Sequence, residues 1–124
     1  MIRPTIGLAV AINRAVRLPD EWFDEPDDLD RLSSAIAAID DVTDPVHAAA
    51  VLAFRVARAQ AFGEANKRTA FLLARWVLDR NGKDGARLLP SDDRDVADLL
   101  VRAASGQDVE GSLVTLLTAR DAGA

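Results

Sequence analysis

The sequence predicts an all-α fold, a compact single-domain bundle of about six helices over residues 1–124. The chain has the size of one domain, and 49% hydrophobic with 28% charged residues is typical of a well-packed globular protein. Tyr is absent, and runs of β-favouring residues are few. Apolar residues instead recur at helical spacing in segments bounded by Pro, Gly or Asp. We therefore expect packed helices without a sheet.

Three helices are predicted in the first half of the chain. The first covers residues 5–16, and one of its faces carries Ile6, Ala9, Val10 and Asn13. The second follows Asp27 or Asp28, either of which can cap it, and its apolar positions are Leu29, Leu32, Ile36 and Ile39. The third begins at Asp44-Pro45 and has an apolar stripe that suits a central helix: Val46, Ala49, Ala50, Ala53, Phe54 and Ala57.

The second half of the chain predicts three more helices. Residues 70–80 form an apolar helix buried on two sides, which ends at Asn81-Gly82 with Gly82 in the left-handed conformation. A polar turn follows at residues 83–87. The last two helices, separated by Gly106, have these caps and apolar positions: Ser91 with Val96, Leu99, Leu100 and Ala103, and Asp108 with Leu113, Leu116 and Leu117.

Composition excludes several classes of function. The net charge of −5 disfavours nucleic acid as a partner, and the absence of Cys excludes a disulfide, a thiolate nucleophile and a cysteine-bound metal. No apolar stretch is long enough to span a bilayer and no leader sequence is evident, so we expect a cytoplasmic chain without a membrane partner. The single histidine, His47, is expected at the surface.

An acidic segment at residues 20–30 contains seven carboxylates around Trp22, Phe23 and Pro26. It predicts a surface loop rather than a helix. The loop has two open interpretations: it is simply solvated, or its two aromatic residues and its charge form a contact surface for a partner protein.

Residues 60–70, between the third and fourth apolar segments, combine small, acidic, amide and cationic side chains. Lys67 and Arg68 fall in the first turn of a predicted helix, where the helix dipole disfavours cations. A bound polyphosphate would remove this conflict by accepting hydrogen bonds from the first-turn N–H groups. Glu64 is near enough in sequence to hold Mg²⁺ against the same phosphates. The alternative is that Glu64 caps the helix, Asn66 starts it, and both cations are solvated.

The sequence of this segment resembles the motif of the Fic/Doc family, and of its Doc (death-on-curing) branch in particular. The matching positions are Phe62, Glu64, Ala65, Asn66, Lys67, Arg68, Thr69 and Ala70. The resemblance implies a Fic/Doc-like helical bundle over the whole chain. The family's histidine, two residues before the Phe, is Gln60 here.

The resemblance implies a toxin of a toxin–antitoxin system that binds ATP with Mg²⁺. It would transfer phosphate to a hydroxyl of a protein target such as a translation elongation factor, whereas the Fic branch usually transfers AMP. A small cognate antitoxin is the implied partner. The site residues that the resemblance implies are Glu64 for the metal, Asn66, Lys67 and Arg68 for phosphate, Gly63 and Ala65 in the phosphate-binding turn, and Arg58 as an assisting cation.

Gln60 means that the enzymatic interpretation has alternatives, because a carboxamide cannot take the proton that the family's histidine accepts. One alternative is a catalytically inactive Fic/Doc scaffold that binds nucleotide or a partner and acts as a regulatory module. A further alternative is a structural helical protein without a ligand.

Overall fold

Seven helices make up the part of the chain that the computed structural model describes, residues 1–18 and 27–123. They are α1 (Ile6–Val16), α2 (Leu29–Ala37), α3 (Pro45–Ala59), α4 (Asn66–Arg80), α5 (Gly85–Leu88), α6 (Arg94–Ala104) and α7 (Glu110–Ala122). No strand occurs in these residues, so the prediction of an all-α fold is confirmed. Most of the acidic segment, including Trp22 and Phe23, lies outside the described residues.

Helix α3 forms the centre of the bundle and contacts α2, α4, α6 and α7. Its prediction as the central helix is confirmed, but the predicted single stripe is too narrow. Leu52 and Val56, which lie off that stripe, are as buried as Ala49 and Ala53. Six of its fifteen residues are Ala, and this lets neighbouring helices approach it from several sides.

Asp28 and Asp44 cap α2 and α3, as predicted, by accepting the N–H groups of Arg31 and Val46. Leu29, predicted on the buried face of α2, is instead 50% exposed. The reason is its position along the bundle. The Asp28 N–H donates to the carbonyl of Ala61, which lies beyond the last residue of α3, so Leu29 begins its helix where the central helix has already ended.

Three local predictions for the second half of the chain are wrong. The polar turn at residues 83–87 contains the start of α5, a single turn capped by Asp84, which raises the number of helices from six to seven. Asp93, not Ser91, caps α6 and accepts two N–H groups. Val109 rather than Asp108 is the N-cap residue of α7, although Asp108 accepts the N–H of Glu110 at 3.3 Å. Gly82 and Gly106 take positive φ values of 81° and 94°, as expected where helices end.

The N-terminal residues run along the outside and hold two connections. The Ile2 backbone exchanges both of its hydrogen bonds with the side chain of Asn81, at 2.6 and 2.8 Å. Arg3 donates to the carbonyls of Ile39 and Val42 in the connection between α2 and α3. Within the described ranges, none of the helices combines the length and apolar character needed to cross a membrane.

Candidate functional site

The connection between α3 and α4, residues 60–65, is a tight loop with a left-handed residue at each end. Gln60 has φ 50° and Ala65 has φ 65°, and they are the non-glycine residues with positive φ in the described ranges. Each such residue costs on the order of 1 kcal/mol, and strain of this kind concentrates at functional sites. The surrounding structure must therefore hold this loop in place.

Buried polar side chains provide that support. In the described part of the chain, the polar residues classed as buried are Asn13, Asn66 and Thr69, and all three bind the 60–65 loop. Asn66 accepts the N–H of Phe62 at 3.1 Å and donates to the carbonyl of Phe62 at 2.8 Å. The Thr69 hydroxyl donates to the Ala65 carbonyl at 2.8 Å. The backbone of the loop is thus fixed by side chains of the following helix.

Asn13 holds the same loop from α1. Its Nδ2 donates to the Glu64 carbonyl at 2.8 Å and contacts the Thr69 hydroxyl at 3.2 Å. Its Oδ1 accepts hydrogen bonds from Arg14 and Arg17. In the sequence, Asn13 lies on an otherwise apolar face of the first helix, and helical periodicity predicts no role for it. A carboxamide on an apolar helix face indicates a buried hydrogen-bonding role, because a buried carboxamide needs partners to balance its desolvation.

Helix α4 starts at this loop without a side-chain cap. Its N-cap residue is Ala65, and its first turn contains no acidic residue. By contrast, a Thr or Asp side chain caps α1, α2 and α3. The alternative interpretation that Glu64 caps α4 is therefore wrong, although Asn66 is indeed the first helical residue. The first-turn N–H groups at the positive end of the α4 dipole therefore donate no hydrogen bond to an N-cap side chain.

Two opposite charges lie next to this helix end. Glu64 and Lys67 are both exposed, and neither side chain forms an ion pair or hydrogen bond with the described residues. Residues 1–18 and 27–123 contain no group of three or more potential metal ligands. Mg²⁺ in nucleotide sites commonly uses one or two carboxylates together with phosphate oxygens and water. The single free carboxylate of Glu64 fits that requirement.

Arg68 is anchored more firmly than Lys67. Its Nη1 donates to the carbonyl of Val16, the last residue of α1, at 2.6 Å. Both cations line a cavity of about 410 Å³ between α4 and α6. Its other walls are mainly apolar and include Phe71, Leu72, Leu100 and Val101. The structure thus brings Lys67 and Arg68 together in the lining of one mainly apolar groove.

The Gln60 side chain is engaged at both polar ends. Its Nε2 donates to the Ala57 carbonyl at 2.8 Å, which closes the last turn of α3. Its Oε1 accepts a longer hydrogen bond of 3.4 Å from Asn66 Nδ2. Gln60 therefore lies beside Asn66, and its side chain stabilises the loop.

Comparison with known proteins identifies the family. A family model described as the Fic/DOC family matches residues 4–78, which is more than half of the chain. The chain belongs to the Fic/Doc family. A search of curated proteins finds no match. The Fic/Doc match covers helices α1, α2 and α3, most of α4 and the whole 60–65 loop, and it suggests a nucleotide-binding function of the transferase type.

Two basic residues of the Fic/Doc domain lie apart from the Lys67 groove. Arg58 is exposed, and its guanidinium lies 5.6 Å from the ring centroid of Phe54. It lines a separate cavity of about 860 Å³ with residues of α2 and the start of α7. His47 is exposed in the first turn of α3, at the opposite end of that helix from Gln60. Neither residue is among those lining the groove that contains Lys67 and Arg68.

Proposed function

We propose that this Fic/Doc chain binds ATP with Mg²⁺ at the 60–65 loop and is a Doc-type phosphotransferase acting on a protein hydroxyl, with transfer weakened by Gln60. One observation carries the proposal. The uncapped, electropositive start of α4 lies beside two charges, Glu64 and Lys67, that have no partner among the described residues. An anion with a bound cation satisfies all three features together.

Different residues would bind the metal, the phosphates and the adenine ring. Glu64 would hold Mg²⁺, which neutralises phosphate charge when it is bound. Lys67 would pair with a phosphate oxygen, and Arg68 of α4 would add charge from the position fixed by its hydrogen bond to Val16 of α1. The Asn66 carboxamide is already bonded to Phe62, so we assign it the shape of the loop rather than a direct phosphate contact. The cavity of about 410 Å³ beside both cations suits the adenine ring.

Gln60 weakens the transfer step rather than binding. A group that takes a proton from the attacking hydroxyl contributes about 10²–10⁴-fold to rate, and a carboxamide cannot supply this. Binding and charge neutralisation rely on other residues and would persist. We therefore expect slow transfer of phosphate from the chain as it stands.

A regulatory module without turnover is the second candidate function. The observation that favours it is that both polar ends of Gln60 are engaged, with Ala57 and with Asn66. In this interpretation the side chain maintains the loop, and the domain binds nucleotide or a partner without transfer.

The resemblance of the motif to the Doc branch supports the remaining parts of the proposal. Lys67 stands where the AMP-transferring Fic branch usually has Gly, so phosphate transfer is proposed over AMP transfer. The proposed partners are a protein target such as a translation elongation factor and a small cognate antitoxin whose segment covers the site. The proposed setting is a toxin–antitoxin system.

Transfer from labelled ATP tests the proposal. The chain as it stands, Gln60→His and Gln60→Asn would each be incubated with a bacterial extract and ATP labelled at either the α- or the γ-phosphate. Gln60→Asn is the matched control, since Asn tolerates the left-handed conformation and is equally unable to accept a proton. We expect γ-label on protein to rise at least about 10²-fold in Gln60→His alone.

The possible results separate the candidates. Transfer of α-label by Gln60→His would replace phosphate transfer with AMP transfer. Binding of ATP and Mg²⁺ by all three chains without any transfer would support the regulatory module. Absence of ATP binding, measured by calorimetry, would reject the phosphotransferase and the nucleotide-binding form of the regulatory module.

A further inference from the structure

We propose that Asn13 of α1 is a positioning residue for the metal-binding carboxylate of Glu64. This rests on the proposed binding of ATP with Mg²⁺ at the 60–65 loop. Asn13 is not part of the motif and lies 51 positions before Glu64 in sequence. Among the residues that the structure describes, the Asn13 amide is the side-chain group that donates to the Glu64 carbonyl, at 2.8 Å.

The burial of Asn13 argues that its hydrogen bonds have a specific purpose. Its side chain is completely inaccessible to solvent, as is that of Thr69, and the two contact each other at 3.2 Å. A buried carboxamide contributes little net stability compared with an apolar residue that fills the same space. It does, however, fix one orientation of the groups that it binds. The group that it binds here is the backbone from which Glu64 projects.

Other contacts leave Glu64 without comparable support. Asn66 holds Phe62, and Thr69 holds Ala65, on either side of it. Gly63 is exposed, and the Glu64 side chain has no partner among residues 1–18 and 27–123. Loss of the Asn13 amide would free the Glu64 peptide while its neighbours stayed in place. The carboxylate would then lose its fixed direction relative to the first turn of α4.

The side-chain oxygen of Asn13 binds two arginines, one in α1 and one just after its last residue. Its Oδ1 binds Arg14 at 2.6 Å and Arg17 at 2.9 Å. Asp27 in turn pairs with Arg14 at 2.6 Å. These bonds fix the amide so that its Nδ2 faces the loop. They also provide a way to separate the two ends of Asn13 by mutation.

Two substitutions test the role. Asn13→Ala removes both ends of the side chain. Asn13→Asp keeps the acceptor for Arg14 and Arg17 but lacks the donor to the Glu64 carbonyl, and it carries the test if Asn13→Ala does not fold. Asn81→Ala is the matched control, because the Asn81 carboxamide also bonds to a distant part of the chain, with two hydrogen bonds to the backbone of Ile2 and a third to that of Val77, remote from the loop.

The measurement is the affinity for ATP by calorimetry, with Mg²⁺ and with EDTA. Partners that orient a metal ligand typically contribute about 10–100-fold to metal affinity. We expect both Asn13 variants to lose about tenfold or more of the affinity gained from Mg²⁺, with little change in EDTA. Asn81→Ala should lower the urea midpoint and keep the whole Mg²⁺-dependent gain.

The outcomes distinguish this inference from the proposed function. An unchanged Mg²⁺-dependent gain in both Asn13 variants would overturn the positioning role while the proposed function stands. Equal loss in Asn81→Ala would also overturn it, since the effect would then be a general loss of stability. A wild-type chain that binds no ATP would reject the proposed function itself, and the inference would fall with it.

Discussion

The side-chain amide of Asn66 binds the backbone of Phe62 at two points, accepting from its N–H at 3.1 Å and donating to its carbonyl at 2.8 Å. Asn66 opens α4, and Phe62 is a buried residue of the preceding loop. These two hydrogen bonds, one accepted and one donated by the same side chain, close the loop. It also explains a motif asparagine without any ligand, because the loop needs a donor and an acceptor on one short side chain.

Asn66→Asp should destabilise the fold, since a carboxylate oxygen would then face the Phe62 carbonyl in place of a donor. Losing a buried hydrogen bond and leaving its partner unsatisfied costs about 1–3 kcal/mol. Urea denaturation followed by circular dichroism would measure the loss. Glu64→Gln, an exposed amide-for-carboxylate change two residues away, is the control and should leave the urea midpoint nearly unchanged. Equal midpoints for wild type and Asn66→Asp would show that this contact does not support the loop.

We expect Lys67 to lower the stability of the free chain and to strengthen its binding of ATP. Lys67→Gln removes a cation from the positive end of α4 with little change in helix propensity, so we expect the free chain to gain about 0.3–1 kcal/mol. The same change should weaken the proposed binding of ATP. Thermal unfolding with and without ATP and Mg²⁺ would show both effects, as a higher midpoint alone and a smaller ligand-induced shift.

The opposite end of the same helix provides the control for Lys67. Arg80 lies in the last turn of α4, where a cation is favourable, and its guanidinium lies 5.8 Å from the Trp76 ring centroid. Arg80→Gln should lower the midpoint and leave the ligand-induced shift intact. A stability loss in Lys67→Gln would mean that its charge is already balanced within the protein.

Features set by neighbouring residues could be predicted from the sequence. Asp28 and Asp44 are helix caps because their side chains reach N–H groups two or three residues ahead. Gly82 and Gly106 end helices because they take positive φ at low cost. The motif segment from Gln60 to Ala70 was identified from its order of residue types alone.

Features that depend on distant contacts could not be predicted in this way. Ser91 and Asp93 are equally good caps by sequence, and Asp93 prevails where Arg120 of α7 also binds it. Asn13 meets Glu64 across 51 positions, and Arg68 meets Val16 across 52. Periodicity gives the face on which a residue lies, but it does not give the group from another helix that will lie opposite.

Gly85 should be intolerant of a methyl group. A Cβ there would lie 2.5 Å from Asp79 Oδ1 and 3.0 Å from the Arg75 carbonyl oxygen, and the Gly85 N–H donates to the same Asp79 carboxylate. We expect Gly85→Ala to cost about 1–3 kcal/mol through this overpacking. Gly111→Ala is the control, since nothing lies within 4 Å of its Cβ position in α7 and Ala favours a helix by about 0.5–1 kcal/mol. Opposite shifts of the thermal midpoint are expected, and a stable Gly85→Ala would contradict the close approach.

The ion pair of Asp93 with Arg120 should make stability depend on pH. Burial of the Asp93 carboxyl raises its pKa, but the hydrogen bond and charge of Arg120 and the N–H groups of the α6 cap outweigh burial, and its pKa lies below the ordinary value. The native state therefore binds this proton less readily than the unfolded chain does. The stabilisation is present above the unfolded pKa of about 3.9 and is lost as pH falls through the lower native value.

Asp93→Asn tests this dependence, because Asn remains a good helix cap but cannot pair with Arg120. At pH 7 we expect a loss of about 1.5–3 kcal/mol, the typical contribution of a hydrogen bond to a charged group. The difference from wild type should shrink as pH falls below about 4. Asp98→Asn, in an exposed pair with Arg102 at 3.7 Å on the same helix, should change stability by less than about 1 kcal/mol at either pH. A constant difference between wild type and Asp93→Asn from pH 7 to pH 2.5 in urea titrations would show that the ion pair is not what Asp93 contributes.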